Sequence, residues 1–300
     1  MPAIDLAALR PRIDAAIDAQ LTRGAEDLAE LAPESADLLG PVRALMGGGK
    51  RFRPIMLYVG YRAAGCPDRE GAVRLAAAME FVQAAALIHD DIIDASDTRR
   101  GMPTTHRALE AAHRQRGWEG DAAGFGVAGA ILAGNLCLGW ADQAYDECGL
   151  PDAELARGRA TFDLMRTQLM AGQYLDVVGS VRPWTAMADS ERVAMAERVI
   201  TYKSAKYSIQ HPLLIGARTG GVATAIDAAL STYGLELGIA FQLRDDLLGV
   251  FGDPEVTGKP AGDDLREGKR TVLIAHTLAG LDAAGRREVE GRLGNPALTD

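Results

Sequence analysis

An apolar stretch that ends in a cluster of acidic residues constrains the fold of this 300-residue chain most strongly. Residues 76–86 are mostly small and apolar and contain no Gly or Pro, which predicts the end of a long buried helix. Four aspartates follow within the next eleven residues. Asp90, Asp94 and Asp97 are spaced to share one helix face, and Asp91 lies on its flank. The pattern therefore predicts a carboxylate cluster at the end of a buried helix.

A carboxylate cluster of this kind favours a bound cation. Carboxylates on one face repel each other and lose hydration together, a cost that a divalent cation among them offsets. Oxygen donors without clustered His or Cys indicate Mg²⁺ or Mn²⁺ rather than Zn²⁺. Arg99 and Arg100 follow directly, and guanidinium groups suit an anionic diphosphate. A solvated acidic turn is the alternative interpretation.

Composition narrows the class of partner. A formal charge of −9 argues against nucleic acid as the main partner. The three cysteines are odd in number and lack metal-site spacing, which favours buried thiols in a reducing cytoplasm. The first residues have neither a basic segment nor an apolar signal core. The longest uncharged run, residues 122–141, includes five glycines and Asn135, so we expect a packed helix and no integral membrane segment.

Hydrophobic periodicity predicts helices throughout the chain. A hydrophobic content of 48% with only 5% aromatic residues favours a helical core over a β-sandwich. No strand pattern of useful length occurs, so we expect an all-α bundle. The predicted helices cover residues 6–31, 35–46, 55–64, 71–94, 123–144, a segment from about 153, 191–217 and about 223–249.

Several basic or acidic segments accompany these helices. Three glycines before Lys50 and Arg53 indicate an anion site, with a helix cap and solvated charges as the alternative. Lys203 lies among apolar residues, so it either faces inward or reaches the surface. A second Asp pair, Asp245 and Asp246, ends another apolar helix. The Gly-rich loop that follows, residues 251–269, is either a closing loop over a charged ligand or a surface connection.

Five stretches occur in the order seen in the trans-isoprenyl diphosphate synthases, the polyprenyl synthetase family, and the sequence resembles that family. They are residues 48–54, 90–101, 172–176, 203–205 and 241–269. The resemblance implies a single domain over residues 1–300 with the isoprenoid synthase fold, an antiparallel helix bundle around a deep central cavity. It also implies a homodimer. Relatives continue beyond the position of Asp300, so a chain that lacks the C-terminal helices is one expectation.

The resemblance also implies residue roles. The metal ligands for up to three Mg²⁺ ions, or Mn²⁺, are expected to be Asp90, Asp91, Asp94, Asp245 and Asp246. The allylic diphosphate is expected to contact Arg99, Lys203, Ser204, Gln242 and Lys259. Isopentenyl diphosphate is expected to contact Lys50, Arg53, Gln83 and Arg100. The residues expected to act directly in catalysis are Asp90, Asp94, Lys203 and Asp245.

The implied reaction is a prenyl transfer. The allylic diphosphate ionises with help from metal and cations, and isopentenyl diphosphate attacks the resulting cation inside an apolar cavity. The helix before Asp90 is expected to set the product length through Ala85, Ala86, Val82 and Met79. Small residues in the first turn favour geranylgeranyl diphosphate, with farnesyl or longer products as the alternative.

Three departures from the family pattern bear on the site. Gln83 stands where many members have His, Gly249 stands where a third Asp is common, and Asn135 stands where Asp is common. Three other functions use similar chemistry. A metal phosphohydrolase needs further His ligands, a terpene cyclase needs no second diphosphate site, and a non-catalytic partner subunit needs no intact acidic motifs. The sequence favours a cytoplasmic prenyltransferase over each of them.

Overall fold

The computed structural model describes residues 4–253, 262–295 and 297–298, and in this part of the chain the fold is all-α. The predicted fold class is therefore confirmed. The helices are α1 (Leu6–Ala29), α2 (Leu39–Met46), α3 (Phe52–Ala63), α4 (Glu70–Ile93), α5 (Thr105–Gln115), α6 (Ala122–Asp146), α7 (Asp152–Val181), α8 (Asp189–Val199), α9 (His211–Thr219), α10 (Thr224–Phe251), α11 (Asp263–Arg266), α12 (Val272–Gly280) and α13 (Ala283–Arg292).

Shorter elements connect these helices. Two 3₁₀ turns cover Pro33–Leu38 and Trp184–Ala186, and a π-helix, Ile200–Gln210, joins α8 to α9. The two-residue strands β1 (Thr98–Arg99) and β2 (Met102–Pro103) pair antiparallel directly after the first acidic motif. The hairpin turns the chain back shortly after the end of α4.

The chain divides into two compact units. The first consists of Met1–Ala160 and Pro212–Thr224, and the second of Thr161–His211 and Ala225–Asp300. The expectation that residues 1–300 form one domain stays a prediction.

Helix α4 is the core of the first unit. It packs against α1, α3 and α6, and its many alanines allow these neighbours to approach on several sides. Phe81 and Trp140 fill the contact with α6, with ring centroids 6.3 Å apart. Helices α3 and α9 approach even more closely, because a Cβ on Gly60 would lie 1.9 Å from the Leu213 carbonyl oxygen. The apolar stretch predicted from the sequence is therefore a central helix.

The second unit is built around the π-helix. A Cβ on Gly172 of α7 would lie 2.5 Å from the backbone nitrogen of Lys203, and one on Gly238 of α10 would lie 2.6 Å from the Ala205 carbonyl oxygen. These two glycines let α7 and α10 contact the π-helix backbone directly. Trp184 and neighbouring side chains of α8 and α12 form a separate apolar cluster.

Most predicted helix bounds agree with the structure, with two kinds of difference. The periodicity did not predict α5, α12 and α13. The predicted helix over residues 191–217 is continuous but changes to π-helical turns in its middle. Helices α4 and α6 are long and apolar enough to cross a membrane by length and composition, but 72% of the apolar window of α4 is buried in the protein. A buried core helix passes the same test, so this observation is weak evidence for a membrane.

Candidate active site

The first acidic motif closes α4 and is charge-balanced by Arg99. Asp91 is 1% exposed. An Nη of Arg99 lies 2.7 Å from an Asp91 carboxylate oxygen and 3.6 Å from one of Asp90. Burial raises the pKa of Asp91, and the hydrogen bond from Arg99 opposes that rise. Asp94 is the exposed C-cap residue of α4. The helix end thus carries three carboxylates with one guanidinium between two of them.

The chain reverses sharply after this motif. Ala95 and Arg100 both have left-handed backbone conformations, with φ of 51° and 54°. Such conformations are uncommon for residues other than glycine and concentrate at functional sites. The turn brings Arg100 back to the end of α2, where its Nη1 lies 3.4 Å from the Gly48 carbonyl oxygen. The first acidic motif and the glycine-rich segment therefore meet through Arg100.

The basic segment after α2 separates into different roles. Lys50 is exposed and Arg53 is half-buried. Arg51 between them is 6% exposed and has a left-handed φ of 53°. Its guanidinium pairs with Glu80 and Asp14 at 2.7 and 2.6 Å. Two of the three cations in this segment are thus accessible to a ligand, while the third is internal.

Helix α4 presents one face outside its buried core. Gln83, Ala86 and Asp90 are half-buried and follow one another at helical spacing. Among the positions predicted to set product length, Ala85, Val82 and Met79 are 0, 0 and 1% exposed. Ala86 alone of the four lies on the accessible face. The product-length assignment itself stays a prediction.

The second unit carries a matching arrangement of charges. Lys203 and Ser204 lie on the π-helix, and the Lys203 Nζ is 2.6 Å from an Asp176 carboxylate oxygen. π-Helical turns occur often at functional sites because they shift side chains relative to a regular helix. The sequence indicates Asp176 only as the last residue of the 172–176 stretch. Its pairing with Lys203 is visible only in the structure.

The second acidic motif lies near the end of α10. Asp246 is 6% exposed, whereas Asp245 is exposed. The Gln242 Nε2 donates to Asp246 Oδ1 at 2.8 Å, and within the described part of the chain Asp246 Oδ2 is buried without a hydrogen-bond partner. Burial raises the pKa of Asp246 to about 6, and the nearby Asp264 and Asp245 add to that rise. A buried carboxylate oxygen without a partner is the kind of donor that a cation satisfies.

These carboxylates suit a magnesium ion that protein and substrate bind together. Over residues 4–253 and the described residues after 261, no three acidic, His or Cys side chains form a metal cage. Mg²⁺ usually keeps several waters and binds one or two carboxylates together with substrate phosphates. The paired aspartates of each motif match that donor set, and the buried Asp246 Oδ2 supports it.

The predicted site residues thus form two groups, one in each unit. The first contains Asp90, Asp91, Asp94, Arg99 and Arg100 with the segment around Lys50. The second contains Lys203, Ser204, Gln242, Asp245 and Asp246. Lys259 lies outside the described residues. Whether the two groups serve one site stays a prediction. The sequence assigned no role to Arg51, Asp176 or Asp264, because their contacts become visible only in the structure.

Family comparison identifies the class of protein. A sequence model of the polyprenyl synthetase family matches residues 36–297, and the chain belongs to that family. Its curated relatives include geranylgeranyl, farnesyl and geranylfarnesyl diphosphate synthases. The protein is therefore a prenyltransferase of the short-chain trans-prenyl diphosphate synthase class.

Individual relatives resemble most of the chain. A geranylfarnesyl diphosphate synthase from Aeropyrum pernix is 34% identical, with 85% of this chain and 74% of the relative covered. A geranylgeranyl diphosphate synthase from Methanosarcina mazei is also 34% identical, over 92% of this chain and 76% of the relative. For a farnesyl diphosphate synthase from Mycobacterium bovis, the 35% identical match spans only 59% of the relative.

A solved structure supports the same assignment. The geranylgeranyl pyrophosphate synthase of Corynebacterium glutamicum, complexed with isoprenyl diphosphate and magnesium, is 42% identical and superposes with a TM-score of 0.87. The match covers 99% of this chain and 84% of that chain. The resemblance inferred from the motifs is thereby confirmed at the level of family and fold.

Proposed function

We propose that this protein condenses isopentenyl diphosphate with an allylic diphosphate and that geranylgeranyl diphosphate is its product. The observation that carries the proposal is the charge arrangement at the end of α4. Arg99 contacts two carboxylates there, and Arg100 links the motif to the basic segment that carries Lys50. Two neighbouring anion-binding regions are what a reaction between two diphosphates requires.

The allylic diphosphate is assigned to the acidic motifs. Asp90, Asp91 and Asp94 in the first unit, and Asp245 and Asp246 in the second, would hold Mg²⁺, which when bound neutralises charge on the diphosphate leaving group. Arg99 and Lys203 contribute further positive charge to the phosphate oxygens. We assign Ser204 and Gln242 as hydrogen-bonding groups for the allylic diphosphate, and the predicted contact of Lys259 with the same substrate is part of the proposal. No side-chain nucleophile is required, because the double bond of isopentenyl diphosphate attacks the allylic cation.

Isopentenyl diphosphate is assigned to the basic segment. Lys50, Arg53 and Arg100 would bind its diphosphate, and Gln83 of α4 would donate a hydrogen bond. A Gln side chain provides an uncharged amide where many family members have His, so we expect weaker diphosphate binding than a protonated His would give. The apolar side chains of α4 would shelter the allylic cation from water. The departing diphosphate is the assigned acceptor for the proton lost from the product.

Product length is assigned from the accessible face of α4. Ala86 lies one turn before Asp90 on that face, and a methyl group there would leave room for a growing chain. Relatives in this family carry names that differ by one isoprene unit in either direction. Geranylgeranyl diphosphate is the length that the small side chain favours, and farnesyl diphosphate or longer products are the alternatives that the assay below separates.

The functional unit is assigned as a homodimer through α6. Its outer face carries the exposed side chains of Phe125, Ile131 and Leu132, and residues 122–141 contain no charge. A Cβ on Gly139 would meet no atom within 4 Å. An exposed apolar face of this kind matches the self-complementary surface of a two-fold dimer.

The dimer prediction is tested with Leu132→Arg. The substitution places a charge in the centre of the α6 face, and we expect the protein to elute as a monomer by light scattering coupled to size exclusion. Leu31→Arg is the matched control, because Leu31 is 75% exposed but lies outside α6. A dimer that survives Leu132→Arg at low micromolar concentration would exclude this surface.

The activity is tested with labelled isopentenyl diphosphate, Mg²⁺ and each of dimethylallyl, geranyl and farnesyl diphosphate. We expect chain elongation with all three primers and a twenty-carbon end product. Hydrolysis without isopentenyl diphosphate would instead indicate a phosphohydrolase, and a cyclic hydrocarbon from the allylic substrate alone would indicate a cyclase. No turnover by the purified protein would indicate a non-catalytic partner subunit.

The free cysteines, two of them buried, favour a reducing compartment, and we assign the enzyme to the cytoplasm.

A further inference from the structure

Arg51 is a buried charge that the mechanism above does not use. It lies between Lys50 and Arg53, the two cations assigned to isopentenyl diphosphate. Its side chain is 5% exposed and contacts two carboxylates, which come from α1 and from α4. A guanidinium this deeply enclosed is not available to a diphosphate. Its position inside the basic segment therefore needs another explanation.

The guanidinium of Arg51 holds the backbone of the preceding loop. Its Nη2 donates to the Met46 carbonyl at 2.6 Å, and its Nη1 donates to the Gly48 carbonyl at 3.0 Å. The left-handed backbone at Arg51, with φ of 53°, turns the side chain back under these residues. The same guanidinium thus fixes two carbonyls of the loop that leads into Lys50.

Glu80 ties this loop to the helix that carries the rest of the site. Its carboxylate is 2.7 Å from Arg51 Nη1, and its side chain is 10% exposed. Glu80 lies three residues before Gln83, so both occupy neighbouring positions on α4. Asp14 of α1 accepts a hydrogen bond from the Arg51 Nε at 2.6 Å. Two ion pairs therefore fix the Arg51 guanidinium, and the guanidinium in turn fixes the loop.

We propose that Arg51 is a positioning residue, locked by Glu80, that sets the loop of residues 46–50 in the conformation that binds isopentenyl diphosphate. The inference rests on the proposed function, which assigns that substrate to Lys50, Arg53 and Arg100. The Gly48 carbonyl accepts from both Arg51 and Arg100. A change at Arg51 is thus transmitted to the loop and to Arg100, whereas the contacts of Arg99 with Asp90 and Asp91 do not involve it.

The test compares the two substrates kinetically. Arg51→Met removes the four hydrogen bonds of the guanidinium, and we expect KM for isopentenyl diphosphate to rise about 10- to 100-fold, because misplaced binding groups weaken binding on this scale. KM for the allylic substrate should change by less than about twofold, because Arg51 does not contact the acidic motifs. Arg51→Lys keeps the charge without the forked geometry and should recover only part of the loss. Equal changes in both KM values would overturn the inference.

A double variant separates positioning from direct binding. Lys50→Met should raise KM for isopentenyl diphosphate by itself. If Arg51 acts through the loop, adding Arg51→Met to Lys50→Met should raise that KM by less than Arg51→Met raises it in the wild type. Independent multiplication of the two effects would show that Arg51 acts by another route. The matched control is Arg43→Met, because Arg43 of α2 forms an outward ion pair with Asp18 and should leave both KM values unchanged.

Hydrogen exchange provides a readout that does not depend on the reaction. We expect Arg51→Met to increase amide exchange in residues 46–51 while residues 76–88 of α4 stay protected. Glu80→Gln keeps the shape and one hydrogen bond, so it provides a second variant if Arg51→Met fails to fold, with a smaller change in the same segment. Unchanged exchange in this loop would overturn the inference. If the wild type makes no product from isopentenyl diphosphate, the proposed function fails while this measurement still judges the role of Arg51.

Discussion

Removing the charge of Asp246 should stabilise the protein and inactivate it. The carboxylate is almost fully buried, and only its Oδ1 accepts a hydrogen bond from a described residue, Gln242. Its pKa is raised to about 6 by burial, with the nearby Asp264 and Asp245 contributing in the same direction. The folded protein therefore holds an unfavourable charge at neutral pH. A buried carboxylate charge of this kind would be stabilised by a bound cation.

The pKa gives the magnitude of that cost. A carboxyl whose folded pKa lies about two units above its ordinary value loses about 3 kcal/mol of stability when it ionises in the folded state. Because the folded pKa is raised, the protein has its full stability below about pH 4, where the carboxyl is protonated in both states. It loses about 3 kcal/mol, the whole penalty, as the pH rises to about 6 and above. In the metal-free protein, Asp246→Asn should recover about 2 to 3 kcal/mol at pH 7.5 and almost nothing at pH 4.

The assay is thermal unfolding in a chelator at pH 7.5 and at about pH 4. For a chain of this size, 3 kcal/mol corresponds to roughly 6 °C, so Asp246→Asn should unfold at a higher temperature at pH 7.5 and should nearly match the wild type at the lower pH. Mg²⁺ with inorganic diphosphate should stabilise the wild type more than the variant. Asp245→Asn is the neighbouring control: it is exposed, so its effect on stability should stay within about 0.5 kcal/mol.

Two results would refute this reasoning. If Asp246→Asn is no more stable than the wild type at pH 7.5, the buried carboxylate carries no electrostatic cost. If the difference between the two proteins is the same at both pH values, the effect comes from packing and not from ionisation. Retention of full activity by Asp246→Asn would separately exclude Asp246 from the metal site.

Two further predictions concern the helices around the site. Ala86→Phe should shorten the main product by one isoprene unit or more. Ala85→Phe lies at a fully buried position and should mainly lower stability, by about 1 to 3 kcal/mol. Product sizing and thermal unfolding distinguish the two variants, and an unchanged product from Ala86→Phe would show that this face of α4 does not set product length. Gly172→Ala should lower both stability and activity, because its Cβ would lie 2.5 Å from the Lys203 backbone nitrogen. Gly179→Ala on the same helix would meet only a flexible methionine methyl, so it should be neutral or stabilising by up to about 1 kcal/mol. Equal effects of the two glycine substitutions would contradict this close approach.

The sequence predicts the central helix and the acidic motifs well because their signals are local. The apolar residues before Asp90 are continuous, and α4 ends at Ile93, within one residue of the predicted boundary. Helix α1 likewise begins at the predicted Leu6 and ends two residues early at Ala29. In both cases the periodicity and the polar flanks agree, so tertiary contacts change only the last turn.

The sequence predicts long-range pairings poorly, and the functional detail of this protein depends on them. Arg51 lies in a basic segment that suggests phosphate binding, but its left-handed backbone turns it toward Glu80, 29 residues away. The π-helix has no periodicity that distinguishes it from an α-helix, and it becomes visible only where Gly172 and Gly238 contact its backbone. Local propensity contains no information about either arrangement.

In each unit, an ion pair balances the charge of the proposed ligand-binding residues before any substrate binds. Arg99 is paired with Asp91, and Lys203 is paired with Asp176. Under the proposed function, a diphosphate that takes the cation would leave the carboxylate available to a metal ion. A metal that takes the carboxylate would in turn release the cation to the phosphate. In each unit, binding of the anionic substrate and binding of the metal would therefore favour each other, because each supplies the charge that the other displaces.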